Sequence, residues 1–157
     1  MGPAAPRSAL SAVSAHEAIR NLLGTYCELM DAADWAGVGE LFAQAQLLTE
    51  SGAVFAAGAA AVTARYERGT KLYDGSPRTR HLTSNTVIEV DGDTATARSA
   101  YVVFQGVGTF ALAPIITGRY CDDFLRDGLR WQFARRQFFI DMVGDLSHHL
   151  TYEVPQK

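Results

Sequence analysis

Two aspartate–glycine turns, Asp91-Gly92-Asp93 and Asp127-Gly128, divide the second half of this chain into long runs of strand character. Nothing else in the sequence narrows the fold so far. An Asp-Gly pair takes the backbone conformation of a tight hairpin at little cost, so each joins antiparallel neighbours in one sheet. Residues 82–90 form a β-branched run that stops at the first turn, and residues 94–104 resume it. Residues 105–113, with Gly106 and Gly108, read as a bend or loop. A third long strand spans 115–125 and a fourth 130–140, on either side of the second turn.

The first half has helical spacing. Ser14-Ala15-His16-Glu17 is a capping box, in which hydroxyl and carboxylate satisfy each other's neighbouring backbone N–H groups. After it Ile19, Leu22, Leu23, Tyr26 and Met30 recur on one face, which predicts a helix over 15–31. Asp34 caps a second, short helix that buries Trp35, Val38, Leu41 and Phe42. Short strands are expected over 47–50 and 53–55. An alanine-rich third helix is expected over 58–73, with Val62, Tyr66 and Thr70 on one face. Helices first and an antiparallel meander afterwards define an α+β fold with the helices on one face of the sheet. The 157 residues fit one domain, over 14–145. A disordered tail is expected over 1–13, around Pro3 and Pro6, and a loosely held polar tail over 146–157.

The net charge of −3 argues against nucleic acid or an anionic membrane as partner. No apolar run approaches the roughly 20 residues of a membrane span. The opening segment lacks a signal peptide's apolar core. Cys27 and Cys121 read as reduced thiols, so the expected location is the cytoplasm. Neither metal nor cofactor is expected. His148-His149 are adjacent and point apart on a strand, Gly106-Val107-Gly108 opens no helix, and there is no nucleophile elbow. A sheet face carrying Val102, Ile115 and Phe138 needs covering, which predicts a homo-oligomer, dimer or trimer.

Two ionisable residues stand out. Asp31 ends the first helix, where a carboxylate opposes the helix dipole. His81 opens the first long strand, and strict alternation puts His81, Thr83, Asn85 and Val87 on one half-polar face. Taken singly, each has an ordinary reading: a solvated helix-end acid and an exposed strand-end imidazole. Together they describe a carboxylate-oriented general base. Asp122-Asp123 and Arg135-Arg136 each direct one side chain inward, as a buried pair or as a substrate contact.

The ordered set of Tyr26, Asp31, Asp34-Trp35, Glu40-Leu41-Phe42, Arg80-His81-Leu82-Thr83-Ser84-Asn85, Asp91-Gly92-Asp93-Thr94-Ala95, Gly118-Arg119-Tyr120 and Trp131-Gln132-Phe133-Ala134-Arg135-Arg136 resembles the SnoaL-like branch of the nuclear-transport-factor-two-like superfamily. The likeness covers about residues 15–143. That branch includes scytalone dehydratase, hexachlorocyclohexane dehydrochlorinase, a bile-acid dehydratase and polyketide cyclases. The resemblance implies a cone-shaped, curved, mostly antiparallel sheet packed on three helices around a deep apolar pocket. It also implies a catalytic dyad of Asp31 and His81, with Tyr26 matching a pocket tyrosine of the bile-acid enzyme. The expected pocket wall is Tyr26, Asn85, Tyr101, Phe104, Tyr120 and Trp131. The sequence departs from the pattern at Tyr101-Val102-Val103-Phe104-Gln105, where relatives carry a second histidine or an acid, and at Tyr26, where the dehydrochlorinase has lysine.

The implied activity is that of a cofactor-independent lyase or isomerase acting on a small, apolar, cyclic molecule. His81 would be the base and Asp31 its orienting partner, with Tyr26, Tyr101 or Asn85 donating to a developing oxyanion. Two alternatives stand beside it. A noncatalytic binding or dioxygenase small-subunit-like module would hold Asp31 and His81 beyond hydrogen-bond reach. A polyketide cyclase-like enzyme would move the proton with Asp31.

Overall fold

The computed structural model describes residues 14–155; the tail expected over 1–13 lies outside them. The capping box forms. Ser14 Oγ accepts from the Glu17 N–H at 3.2 Å and the Glu17 carboxylate accepts from the Ser14 N–H at 3.1 Å, which starts α1 (Ala15–Ala32). Its inner face is Ile19, Leu23, Tyr26 and Met30, all buried. Ala33 closes the helix in the left-handed region, with φ 56°, and the Ala33 and Asp34 N–H groups fold back onto Met30 O and Leu29 O respectively. That closure fixes where Asp31 leaves the helix. Asp34 Oδ1 accepts from the Gly37 N–H and caps α2 (Trp35–Leu41).

The remaining elements are β1 (Gln46–Leu48), β2 (Val54–Ala57), α3 (Gly58–Gly69), β3 (Thr79–Asp91), β4 (Thr94–Val107), β5 (Phe110–Asp127) and β6 (Arg130–Val143). The strands make one six-stranded sheet in the order β2-β1-β6-β5-β4-β3. The fold is α+β, three helices against a curved sheet. The meander β3 to β6 is antiparallel, and both Asp-Gly pairs sit at its hairpin tips. The one parallel pairing joins β1 to β6, with Gln46 opposite Arg135 and Leu48 opposite Gln137. It extends the sheet beyond β6 by the β1–β2 hairpin, which α3 follows. No local signal announces it, because a parallel partner is chosen by the long-range path of the chain.

Four expectations fail here for identifiable reasons. Residues 105–113 are not a loop: β4 runs to Val107 and β5 begins at Phe110, with Gln105 opposite Ala113. Gly106 does not break its strand; a Cβ there would meet Leu112 at ordinary contact distance, 3.4 Å from its Cα. The sheet face expected to need a partner was also misread. Ile115 is fully buried and Phe138 lines an internal cavity, which leaves only Val102 of the three. Finally, the segment after Asp145 is fastened. Thr70 bridges to Leu150, Lys71 N–H donates to His149 O at 2.8 Å, Lys71 Nζ to Ser147 O at 2.7 Å, and Tyr73 Oη to His148 O at 2.8 Å. Leu146 and His149 are buried as a result. α3 stops at Gly69, short of 73, because the following residues pair with this segment.

Gly118 sets the sheet's geometry beside the cavity. A Cβ at this position would lie 2.0 Å from Phe139 O and 2.6 Å from Tyr101 Oη. Gly118→Ala is therefore expected to lose about 1–3 kcal/mol and to displace the Tyr101 ring. Chemical denaturation of the two proteins measures the loss.

Candidate active site

The last turn of α1 and the first residues of β3 meet through one carboxylate. Asp31 Oδ1 and Oδ2 accept from the His81 backbone N–H at 3.1 and 3.0 Å, and Oδ1 accepts from Thr79 Oγ1 at 2.9 Å. Asp31 Oδ1 also lies 2.6 Å from His81 Nδ1. Arg80 stands 3.9 Å away with its side chain largely in solvent. Burial pushes the Asp31 carboxyl up, but the hydrogen bonds and charge of His81, with the Thr79 hydroxyl, outweigh it and hold the group below its ordinary value. In the neutral form of the His81 ring, an ionised Asp31 assigns the proton to Nδ1 and leaves Nε2 with its lone pair. His81 is 7% exposed and forms part of a cavity wall, while Asp31 stands behind it.

The cavity holds about 470 Å³ between the helices and the concave face of the sheet. Five tyrosines line it, four of them deep, Tyr26, Tyr66, Tyr101 and Tyr120, and the fifth, Tyr152, exposed. Tyr26 Oη and Tyr66 Oη are 3.3 Å apart, Tyr101 stacks on Tyr120 with centroids 4.3 Å apart, and Tyr26 meets His81 edge-on at 6.4 Å. Burial pushes all four phenols above their ordinary range, so each keeps its proton and remains a donor. Behind Tyr26 and Tyr120 lies a buried ion pair. Arg136 Nε and Nη2 donate to Asp122 at 2.7 and 2.8 Å, both side chains are 0% exposed, and the guanidinium lies 3.9 Å from the Tyr120 ring centroid and 4.4 Å from that of Tyr26. The outward members, Asp123 and Arg135, pair at 2.8 Å in partial contact with solvent. Strand alternation, which left the choice open, is thus settled as a structural pair behind the cavity tyrosines.

Of the expected wall, Tyr26, Tyr101 and Tyr120 line the cavity beside His81, and three residues do not. Asn85 is exposed, in a left-handed conformation with φ 51°, at a bulge between Ser84 and Val87. The bulge inserts an extra residue and reverses the inward–outward phase, so Leu82 before it and Val87 after it are both 48% exposed. Phe104 points away from the face that holds Tyr101 and Val103. Trp131 is buried at the far hairpin, 5.7 Å beneath the Arg126 guanidinium, clear of the cavity. Tyr66 and His149 are among the wall residues that were missed. Tyr66 was assigned to the buried face of the third helix without a polar role. His149 was weighed only as half of an adjacent pair for metal binding, in a segment read as loose. Among the described residues no group of three or more His, Cys, Asp or Glu side chains is placed to hold a metal ion.

His149 carries a pH consequence. Burial, with the nearby His81, pushes it down from 6.5 to about 4, against the pull of Asp31. The folded protein therefore binds fewer protons than the unfolded chain between these values. Stability is fully present above 6.5 and falls with decreasing pH towards 4. Asp31 adds a second loss below the ordinary carboxylate range. Thermal midpoints measured across this window should fall with acidity, and His149→Phe should flatten the slope down to pH 4 without removing the Asp31 limb.

A SnoaL-like domain model matches residues 11–137. The chain belongs to the SnoaL-like family. No curated protein matches significantly. Solved structures agree with the SnoaL-like assignment. A single-substitution variant of Rv3472, a function-unknown protein from Mycobacterium tuberculosis, is 27% identical with a TM-score of 0.66, over 80% of this chain and 70% of that one. An NTF2-like protein with a cystatin-like fold from Novosphingobium aromaticivorans is 26% identical with a TM-score of 0.67, over 80% of each chain. A protein of the same organism, provisionally named a scytalone dehydratase, is 20% identical with a TM-score of 0.67, over 90% and 89% of the two chains, a likeness of fold. The SnoaL-like match ends at 137, so His149 lies beyond it.

Proposed function

We propose that this SnoaL-like protein takes a small cyclic molecule into its cavity and uses His81 to remove a proton from carbon, as a cofactor-independent lyase or isomerase. The 2.6 Å contact between His81 Nδ1 and Asp31 Oδ1 carries the reading. It commits one ring nitrogen to a carboxylate and leaves the other as a base in a wall of mostly apolar and phenolic groups. The same contact weighs against a merely holding module, which has no need of an oriented imidazole. It weighs also against proton transfer by Asp31 itself, whose oxygens already face the Thr79 hydroxyl, the His81 N–H and the His81 ring.

In this mechanism His81 Nε2 takes a proton from the carbon next to a carbonyl. The C–H pair becomes a C=C bond and the carbonyl π pair moves to oxygen. In elimination the enolate pair then expels a hydroxyl from the β carbon, and that hydroxyl leaves as water with the proton His81 had taken. In isomerisation the proton returns to a different carbon. Asp31 holds the imidazolium in between. Protonated Tyr26 and Tyr101 are the phenolic donors available to the oxyanion. The aromatic and aliphatic lining suits a mostly apolar ring system. Cytoplasmic residence belongs to the same proposal and is supported by Cys27 and Cys121, both free thiols.

Proton exchange tests the reading without knowledge of the natural substrate. The protein is incubated with 1-tetralone, cyclohexanone and 2-decalone in deuterated buffer, and deuterium at the α carbons is followed by NMR. Catalysed exchange of at least one ketone is expected. Exchange of none above the buffer rate would overturn it.

A further inference from the structure

His149 reaches the cavity from the segment after β6, outside every element that carries the dyad. It is 7% exposed, it lines the cavity, and its Nδ1 is buried with no hydrogen-bond partner among the described residues. A buried polar atom without a partner is costly and is uncommon in folded proteins. Nothing in the packing explains it here. The backbone around it is well bonded, through Lys71 N–H to its carbonyl and its own N–H to Leu146 O, so the ring is held in place rather than left over. The ring lies edge-on to His81, with centroids 6.5 Å apart.

That spacing has a chemical meaning. Two imidazoles on one wall at this distance address neighbouring atoms of a single ligand, since an atom within hydrogen-bond reach of one lies a bond or two from an atom in reach of the other. On the reading that His81 deprotonates carbon, the neighbouring atom is the oxygen of the adjacent carbonyl. We propose that His149 is the hydrogen-bond donor to that oxygen, so that the pocket selects cyclic ketones and enols presenting the oxygen next to the carbon His81 attacks. As charge moves from the C–H bond to oxygen, His149 keeps its proton and donates a stronger hydrogen bond. Burial favours its neutral form, which carries one N–H and does not compete with His81 for the substrate proton. Lys71 and Tyr73, by holding the segment's carbonyls, position the ring without touching the ligand.

The inference rests on the proposed deprotonation but is tested apart from it, by binding. The probes are 2-naphthol, which presents an enol-like hydroxyl on a fused ring, and naphthalene, which has the same shape and no oxygen. Calorimetry or ligand fluorescence on the full chain should give a preference of about tenfold or more for 2-naphthol. His149→Phe should bring that preference to within about twofold while naphthalene binding is kept, and His149→Gln, which retains an N–H donor, should restore most of it. An undiminished preference in His149→Phe would overturn the proposal. A readout on the unaltered protein guards against a variant that fails to fold. In long-range ¹H–¹⁵N spectra of the histidine rings, 2-naphthol should shift a His149 nitrogen and naphthalene should not; a His149 signal indifferent to 2-naphthol also overturns it. Failure of ketone exchange with the naphthol preference intact strikes the deprotonation reading alone. Exchange with no effect of His149→Phe on the preference strikes the His149 assignment alone.

Discussion

His81→Ala should abolish ketone exchange, with a fall of about a thousandfold, the usual scale of a positioned general base. Asp31→Asn should cost about a hundredfold or more, since an amide facing His81 Nδ1 no longer fixes the tautomer or stabilises the imidazolium. The two changes differ in their effect on the fold. The His81 backbone N–H, not its ring, bonds both carboxylate oxygens, so His81→Ala leaves the junction of α1 and β3 in place. Asp31→Ala would strip the partners from the Thr79 hydroxyl and the His81 N–H together, at about 1–3 kcal/mol for each buried group left unpaired. Near-normal exchange by His81→Ala, in protein whose thermal midpoint is unchanged, would remove His81 from the chemistry.

Asp122→Asn should give the largest loss of stability, about 3–5 kcal/mol, or roughly 10 °C in thermal midpoint for a domain of this size. The reason is the state it leaves behind. Arg136 is 0% exposed, enclosed by the rings of Tyr26, Phe42, Tyr120 and Phe133, and its Nη1 already lacks a partner. Burial works against the guanidinium, while the bidentate Asp122 carboxylate and the facing phenols outweigh it and keep it charged. Without the carboxylate that charge has no counter-ion in a dry site. Removing both charges together, as Asp122→Leu with Arg136→Met, should recover most of the loss, because neither ion is then stranded. Denaturant titration of the single and double variants measures the coupling. A single Asp122→Asn that unfolds like the parent would mean that water reaches this pair.

Wherever one residue's neighbours in sequence are also its neighbours in space, local pattern was sufficient. The Ser14–Glu17 box begins α1, Asp34 begins α2, and Asp91-Gly92 and Asp127-Gly128 lie at hairpin tips. Alternation worked along β4, where Tyr101, Val103 and Gln105 are buried in turn, and failed along β3 after residue 84. The difference is one bulge: Asn85 adopts a conformation that a short polar side chain tolerates, and every later side chain changes face. Gly106 shows the opposite error, a residue type that reads as a break but lies within a continuous strand.

Asp31 and His81 were legible as candidates because each is awkward alone, an acid at the negative end of a helix and an imidazole at the mouth of a strand. Their 2.6 Å contact joins residues 50 positions apart, and no spacing rule fixes such a distance. His149 was passed over because its significance lies in what surrounds it, and those partners come from α1, α3 and the sheet.

By itself, then, the sequence determined element order, turn positions, the α+β class and the identity of the two candidate catalytic side chains. These follow from backbone preference and hydrophobic period, which act over a few residues. Only the tertiary structure decided that β1 pairs in parallel with β6, that Asp122 and Arg136 form a buried pair behind the cavity tyrosines, and that the final segment brings a second imidazole to the wall. Those outcomes are set by the closing of a curved sheet around its core, where burial and charge pairing are summed over the whole chain.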